Sequence, residues 1–150
     1  MRIIVTCLLL MMAGWVQAEL KIEQAYVRGL PPGQPNTAAF MSLNNTGSQP
    51  LTLTAISSPA AQSVELHTSR QHGDMVHMEK LDSLQIAAAE TVVLQPGGHH
   101  LMLLGLHQPL AEGDSVILQF SFSDGSQTSA KLAVRSVLNE PAAQQHQHHH

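Results

Sequence analysis

The sequence predicts an all-β domain, an antiparallel β-sandwich or barrel with Greek-key connections. Three observations carry that expectation. Apolar residues recur at every second position in stretches such as Leu51 to Ile56 and Ser115 to Phe122, which is the period of a half-buried strand. Turn signals such as Pro96-Gly97-Gly98 and Asp124-Gly125 separate these stretches at intervals of about 8–12 residues, as in sandwiches. No stretch sustains the 3.6-residue apolar period of an amphipathic helix.

Composition bounds the rest. A chain of 150 residues suits one domain. With 43% hydrophobic and 12% charged residues it is neither a disordered chain nor a coiled coil. Aromatic residues make up 3%, so the core must be built from Leu, Val, Ile and Ala. The net charge is −4 and no basic patch stands out, which argues against a nucleic-acid partner.

The first residues read as a targeting segment. Met1-Arg2 supplies a positive start, Ile3 to Met12 is apolar, and Val16-Gln17-Ala18 fits a signal-peptidase site. Residues 1–18 are therefore expected to be a signal peptide and Glu19 the mature start. Loss of Arg2 would take the formal charge from −4 to −5. The apolar run is short for a bilayer span, so no stable membrane insertion is expected after cleavage, and the protein is expected in the periplasm. Cys7 is the one cysteine. It lies inside the signal with no small-residue lipobox before it, so lipidation is not expected. The mature chain then has no thiol to lose by oxidation.

Taken in order, Leu20 to Val27 alternates partially and reads as a first strand. Arg28 to Asn36 holds Pro31, Pro32, Gly33 and Pro35, hence a loop. Thr37 to Leu43 is a second strand, Asn44 to Gly47 a turn, and Leu51 to Ile56 a third strand with Leu51, Leu53 and Ala55 on one face. Ser63 to His67 reads as a short strand ending in a polar loop over 68–74, and Met75 to Leu81 resumes extended structure. Leu84 to Glu90 is expected to be loop plus short strand. Thr91 to Leu94 and His99 to Leu106 are strands on either side of the Pro-Gly-Gly turn. Ala111 to Asp114 is a turn, and Ser115 to Phe122 forms a hairpin with Gln127 to Val137 through Asp124-Gly125. The domain is expected to span 19–139. Residues 140–150, rich in Ala, Gln and His, are expected to form a flexible tail.

The candidate chemistry lies between His67 and Met102. His67, Met78, His100 and Met102 provide two imidazoles and two thioethers, a donor set suited to one soft ion such as Cu(I) and unsuited to Mg²⁺ or Ca²⁺. In a strand, His100 and Met102 point to one side and Leu101 to the other. Single residues of these types carry little weight, because Met ordinarily fills cores. Met75 competes with Met78 for a place in the site, His72 and His77 are exposed residues either of which could join it, and Met41 is expected in the core. His99 should point away from His100.

Together the residues carry more. The pattern His67-x10-Met78-x21-His100-x-Met102 resembles the signature of the periplasmic PCuAC-type copper chaperones. So do its flanks: Val64-Glu65-Leu66-His67, Leu94-x-Pro96-Gly97-Gly98-x-His100-Leu101-Met102-Leu103, and Asn36-Thr37-Ala38-Ala39-Phe40. The likeness covers the mature chain to about Val137. It implies a cupredoxin-like Greek-key antiparallel β-sandwich, Cu(I) held by His67, Met78, His100 and Met102, and copper supply to the CuA centre of cytochrome c oxidase alongside Sco-type thiol proteins. The expected partner is such a copper acceptor, and the chaperone itself is expected to be a monomer. A periplasmic copper buffer or resistance protein that sequesters the ion would share all of these features.

The tail adds His146, His148, His149 and His150. Clustered imidazoles favour Cu(II) among the first-row divalent ions, so a secondary copper site is expected there. An affinity tag would be an unbroken run, and Gln147 interrupts this one. Other functions fit less well. A blue-copper carrier needs a Cys ligand, zinc hydrolysis wants His with carboxylate and an open water position, and no Ser/His/Asp or Cys/His arrangement stands out. The expectation is a carrier and not an enzyme; a β-sandwich adhesion module with incidental Met and His is the remaining class.

Overall fold

The computed structural model describes residues 18–139. The expected signal peptide, but for Ala18, and the expected His-rich tail with its four imidazoles lie outside the described residues. Within them are ten strands: β1 (Leu20–Gly29), β2 (Thr37–Asn45), β3 (Leu51–Ser57), β4 (Ala61–His72), β5 (Met75–Leu81), β6 (Leu84–Ile86), β7 (Thr91–Leu94), β8 (His99–Leu106), β9 (Ser115–Phe122) and β10 (Gln127–Ser136). A single 3-10 turn, Val137–Asn139, follows. No helix among the described residues is long and apolar enough to cross a membrane.

The strands run in the order β5-β4-β8-β2-β1-β10-β9-β3-β6, with β7 added to β2. The sheet closes on itself where β3 meets β4 at Ile56 and Val64. The architecture is the all-β, cupredoxin-like Greek-key sandwich that the sequence predicts, with one departure. All its pairings are antiparallel except β1 with β10, which runs parallel from Tyr26–Ala133 to Gly29–Ser136. That contact joins the two ends of the domain, where no turn dictates direction, so no local pattern announces it.

Alternation builds the core. Val116, Leu118, Phe120 and Phe122 of β9, Leu101 and Leu103 of β8, Val64 and Leu66 of β4, and Ala39, Met41 and Leu43 of β2 all face inward. Met41 is buried as expected. Full burial of side chains of this size contributes about 1.5–3 kcal/mol each.

Two bulges change the phase of a strand. In β1 the pairing with β2 shifts between Glu23 and Tyr26, and Gln24 takes a left-handed backbone with φ of 52°. Before the bulge Leu20 and Ile22 pack toward the core; after it Val27 does, and Tyr26 turns outward. This explains the partial alternation of Leu20 to Val27. In β3 a shift between Leu53 and Ala55 has the same effect. Leu51 and Leu53 are buried, but Ala55 is exposed and Ile56 packs against the core in its place, correcting the expected face.

The β4–β5 region departs further from expectation. β4 does not stop at His67; it runs five residues on to His72 and turns through Gly73-Asp74 into β5. Thr68 is still buried; residues 69–72 are polar because the hairpin projects into solvent, not because they form a loop.

The β9–β10 turn is closed by Asp124. Its Oδ1 accepts from the Ser126 amide at 2.8 Å and from the Ser126 hydroxyl. These two bonds, the hydroxyl's first, hold the Asp124 carboxyl below the ordinary aspartate value of 3.8. The folded value is the lower one, so this stabilisation is present above pH 3.8 and is lost as pH falls through the depressed value. Asp124→Ala should lower stability by about 1 kcal/mol at neutral pH. Denaturant midpoints for the two proteins should converge when the comparison is repeated in strong acid.

Candidate metal centre

The β4–β8 ladder positions the imidazoles. Its register sets His67 opposite His100, Glu65 opposite Met102 and Leu66 opposite Leu101. Directly opposed residues share a face and alternate residues along a strand share a face. His67, His100, Glu65 and Met102 therefore lie on the outward face, while Leu66 and Leu101 fill the core beneath. The β4–β5 ladder sets Met78 opposite Ser69, two residues beyond His67, which places Met78 on that same face. All four candidate donors share one side of three adjacent strands. Met75 pairs with His72 and His77 with Arg70, on the other side of the hairpin.

The two rings are neighbours, with centroids 6.0 Å apart and planes tilted by 31°. Two rings sharing one ion through bonds of about 2.0–2.1 Å have centroids no more than ~6.5 Å apart, so this spacing admits a common ion. The hydrogen bonds of the rings are complementary. His100 Nδ1 lies 3.0 Å from the Gly98 carbonyl oxygen, which can only accept. Nδ1 therefore carries the proton and Nε2 a bare lone pair. His67 Nε2 lies 2.9 Å from Glu65 Oε2, so there Nε2–H donates to the carboxylate and Nδ1 is bare. These two bare nitrogens, His67 Nδ1 and His100 Nε2, are buried and have no hydrogen-bond partner. An unsatisfied buried polar atom costs about 1–3 kcal/mol, and a lone pair left bare in this way is what a metal ion takes up.

Glu65 is the orienting group. Its Oε1 also accepts from Lys80 Nζ at 3.2 Å. The bond from His67, then that from Lys80, lowers the pKa of Glu65 below the ordinary glutamate value. In the sequence Glu65 stands only as a flank of the donor pattern, and its one signal is the i,i+2 spacing to His67 on a single strand.

The thioethers border a cavity of about 260 Å³ lined by Met78, His100 and Met102. The 28–36 segment, through Arg28, Leu30 and Asn36, and the turn residues Pro96 and Gly97 form its walls. Met102 also packs against an outer cluster of Tyr26, Ala38 and Phe40. The Tyr26 and Phe40 centroids lie 5.3 Å apart, and the Arg28 guanidinium sits 5.0 Å over Phe40. His67 lies beside His100 but does not line the cavity. His100 is 4% exposed, more buried than its place near a strand start suggested, whereas Met78 is 65% exposed. His99 faces away from His100, opposite the buried Thr68, and its Nδ1 is buried without a partner. Among the described residues no three His, Cys, Asp or Glu side chains gather into a metal-holding group. A metal on this face would need the sulfurs.

The profile of the LpqE-like family, described as putative lipoproteins, matches residues 20–134. The chain belongs to the LpqE-like family. A putative lipoprotein of Leifsonia xyli subsp. xyli is 35% identical over 117 residues, 77% of this chain and 69% of the relative. Among solved structures, the Cu(I) form of DR1885 from Deinococcus radiodurans is 33% identical with a TM-score of 0.64, covering 82% of this chain and 81% of that one. A copper-bound PCuAC domain from PmoF2 superposes with a TM-score of 0.68 over 81% and 97% of the two chains at 20% identity, a likeness of fold. The LpqE-like domain and the PCuAC domains thus share one architecture.

The hydrogen bonds predict opposite tautomers at the two rings. Long-range ¹H–¹⁵N spectra of the metal-free protein, with imidazoles neutral, should show His67 protonated at Nε2 and His100 at Nδ1. Glu65→Ala should abolish the preference at His67 and leave His100 unchanged.

Proposed function

We propose that this exported protein is a copper carrier that binds one Cu(I) through His67 Nδ1, His100 Nε2 and the sulfurs of Met78 and Met102. It delivers the ion to an acceptor at a respiratory oxidase copper centre of CuA type, or to a Sco-type assembly factor. The observation that supports this reading best is the pair of buried, unpartnered imidazole nitrogens on rings 6.0 Å apart, on the same side of the sheet as two thioethers. The relatives support the cargo: DR1885 and the PmoF2 domain are both known in copper-bound form. The LpqE-like family's description as lipoproteins supports export.

Chemistry favours Cu(I) as the cargo. Four neutral donors leave a bound ion at a net single positive charge, and thioethers are soft ligands that never need to deprotonate. Only the imidazoles couple binding to pH. The carboxylate–imidazole pair Glu65–His67 and the Gly98 carbonyl at His100 fix the ring orientations before the ion arrives. No step here alters a substrate covalently, so the role is carriage and not catalysis. The exposure of Met78 favours delivery over sequestration, because an acceptor ligand can displace an accessible thioether while the ion stays held by the others. The protein acts as a monomer in this reading, and the imidazoles of the tail serve as a secondary Cu(II) site.

Anaerobic competition titration against a high-affinity chelator should give one tightly bound Cu(I) per chain, at the His67–His100 pair. Met78→Ala combined with Met102→Ala should weaken binding at least tenfold, about 1.4 kcal/mol or more; unchanged affinity would overturn the assignment. Mixing the loaded protein with an apo CuA-type domain should then move copper to that domain. Retention of the ion under those conditions would make the protein a buffer instead of a carrier.

A further inference from the structure

The β4–β5 hairpin carries a second group of soft donors on the face turned away from the proposed copper centre. His72 and Met75 are the cross-strand pair next to the Gly73-Asp74 turn, and His77 follows Met75 by two residues on β5. The register puts all three on one face. The His72 and His77 rings have centroids 5.9 Å apart and planes tilted by 54°, within the ~6.5 Å limit for two imidazoles sharing an ion. No hydrogen bond among the described residues occupies either ring. Met75 is 63% exposed, and packing does not account for it: a methionine that fills a core gap is covered, as Met41 is at 2%. On this face Arg70 Nε is paired with Glu79 Oε2 at 3.1 Å.

We propose that His72, Met75 and His77 form a second metal site, for one soft ion of the Cu(I) class, at the hairpin tip. Two imidazoles and one thioether are neutral donors of the kind such an ion selects. Exposure of the three side chains makes the site open and its ion exchangeable, so it binds more weakly than a site with buried nitrogens. It is separate from the proposed centre: His77 and Met78 are adjacent in sequence but project from opposite faces of β5. The inference stands independently of the carrier reading.

Silver(I), a redox-inert soft ion, tests it on the mature chain, residues 19–150, labelled at the methionine methyls. From Glu19 onward the methionines are Met41, Met75, Met78 and Met102, so four signals report the whole experiment. The first equivalent of Ag(I) should move Met78 and Met102. A second should move Met75 together with the His72 and His77 ring signals, while the buried Met41 stays still as a control on folding. His72→Gln with His77→Gln should weaken the Met75 response at least tenfold and leave Met78 and Met102 responding as before. A Met75 signal that stays in place while the tail imidazoles take the second equivalent would overturn the proposal, as would an unchanged Met75 response in the double variant. Movement of Met75 without Met78 or Met102 would leave this site standing and remove the carrier reading instead.

Discussion

The candidate centre depends on one register. β4 and β8 are far apart in the chain, and a slip of one residue between them would turn His67 or His100 toward the core. The register is held because the same ladder that opposes the two imidazoles opposes Leu66 and Leu101, both buried. Any slip would expose leucines and bury polar groups, at a cost of several kcal/mol. The hydrophobic interior thus fixes the spacing of the donors on the outer surface, and the site inherits its rigidity from residues that never touch an ion.

Pre-orientation is the second consequence. An imidazole can offer either nitrogen, and a pair of rings placed side by side has four tautomer combinations. The Glu65 carboxylate and the Gly98 carbonyl select one of them. Each acceptor lies two residues before its histidine: Glu65 on β4 with His67, and Gly98 in the turn that leads into β8 and His100. For Glu65 that spacing is the strand period, and at His100 it is the close reach of a turn carbonyl, so the group that orients each ring is local and needs no distant partner.

Much of this was legible in the chain. The alternation of Val116 to Phe122 and the Asp124-Gly125 turn mark β9 and β10 because antiparallel hairpins are local objects with local signals. The i,i+2 spacing of His100 and Met102 places both on one face. The bulges at Gln24 and in β3 were not legible. Neither sits at a Gly or Pro, and a change of phase shows only as broken alternation, which a weak strand would also give. The length of β4 was hidden for a related reason: Ser69 to His72 is polar, and a strand that leaves the body of the sandwich has no face to bury. The parallel β1–β10 contact joins segments about a hundred residues apart in sequence, beyond the reach of any pattern-based argument.

That same projecting hairpin gives Met78 its character. β5 pairs only with β4 among the described strands, so its far edge is open and its side chains are exposed along almost its whole length. Three of the four candidate donors stand on strands anchored in the core; the fourth stands on the least buried one. Local opening of a protein follows the distribution of buried apolar contacts, so β5 is the element that can separate from the face while β4, β8 and β2 remain packed. A bound ion would then keep its imidazoles while it loses a sulfur. For a carrier this asymmetry matters more than total affinity, because an ion enclosed by four rigid donors can leave only if the fold opens. With one donor on an exposed edge strand, exchange requires movement of a single hairpin.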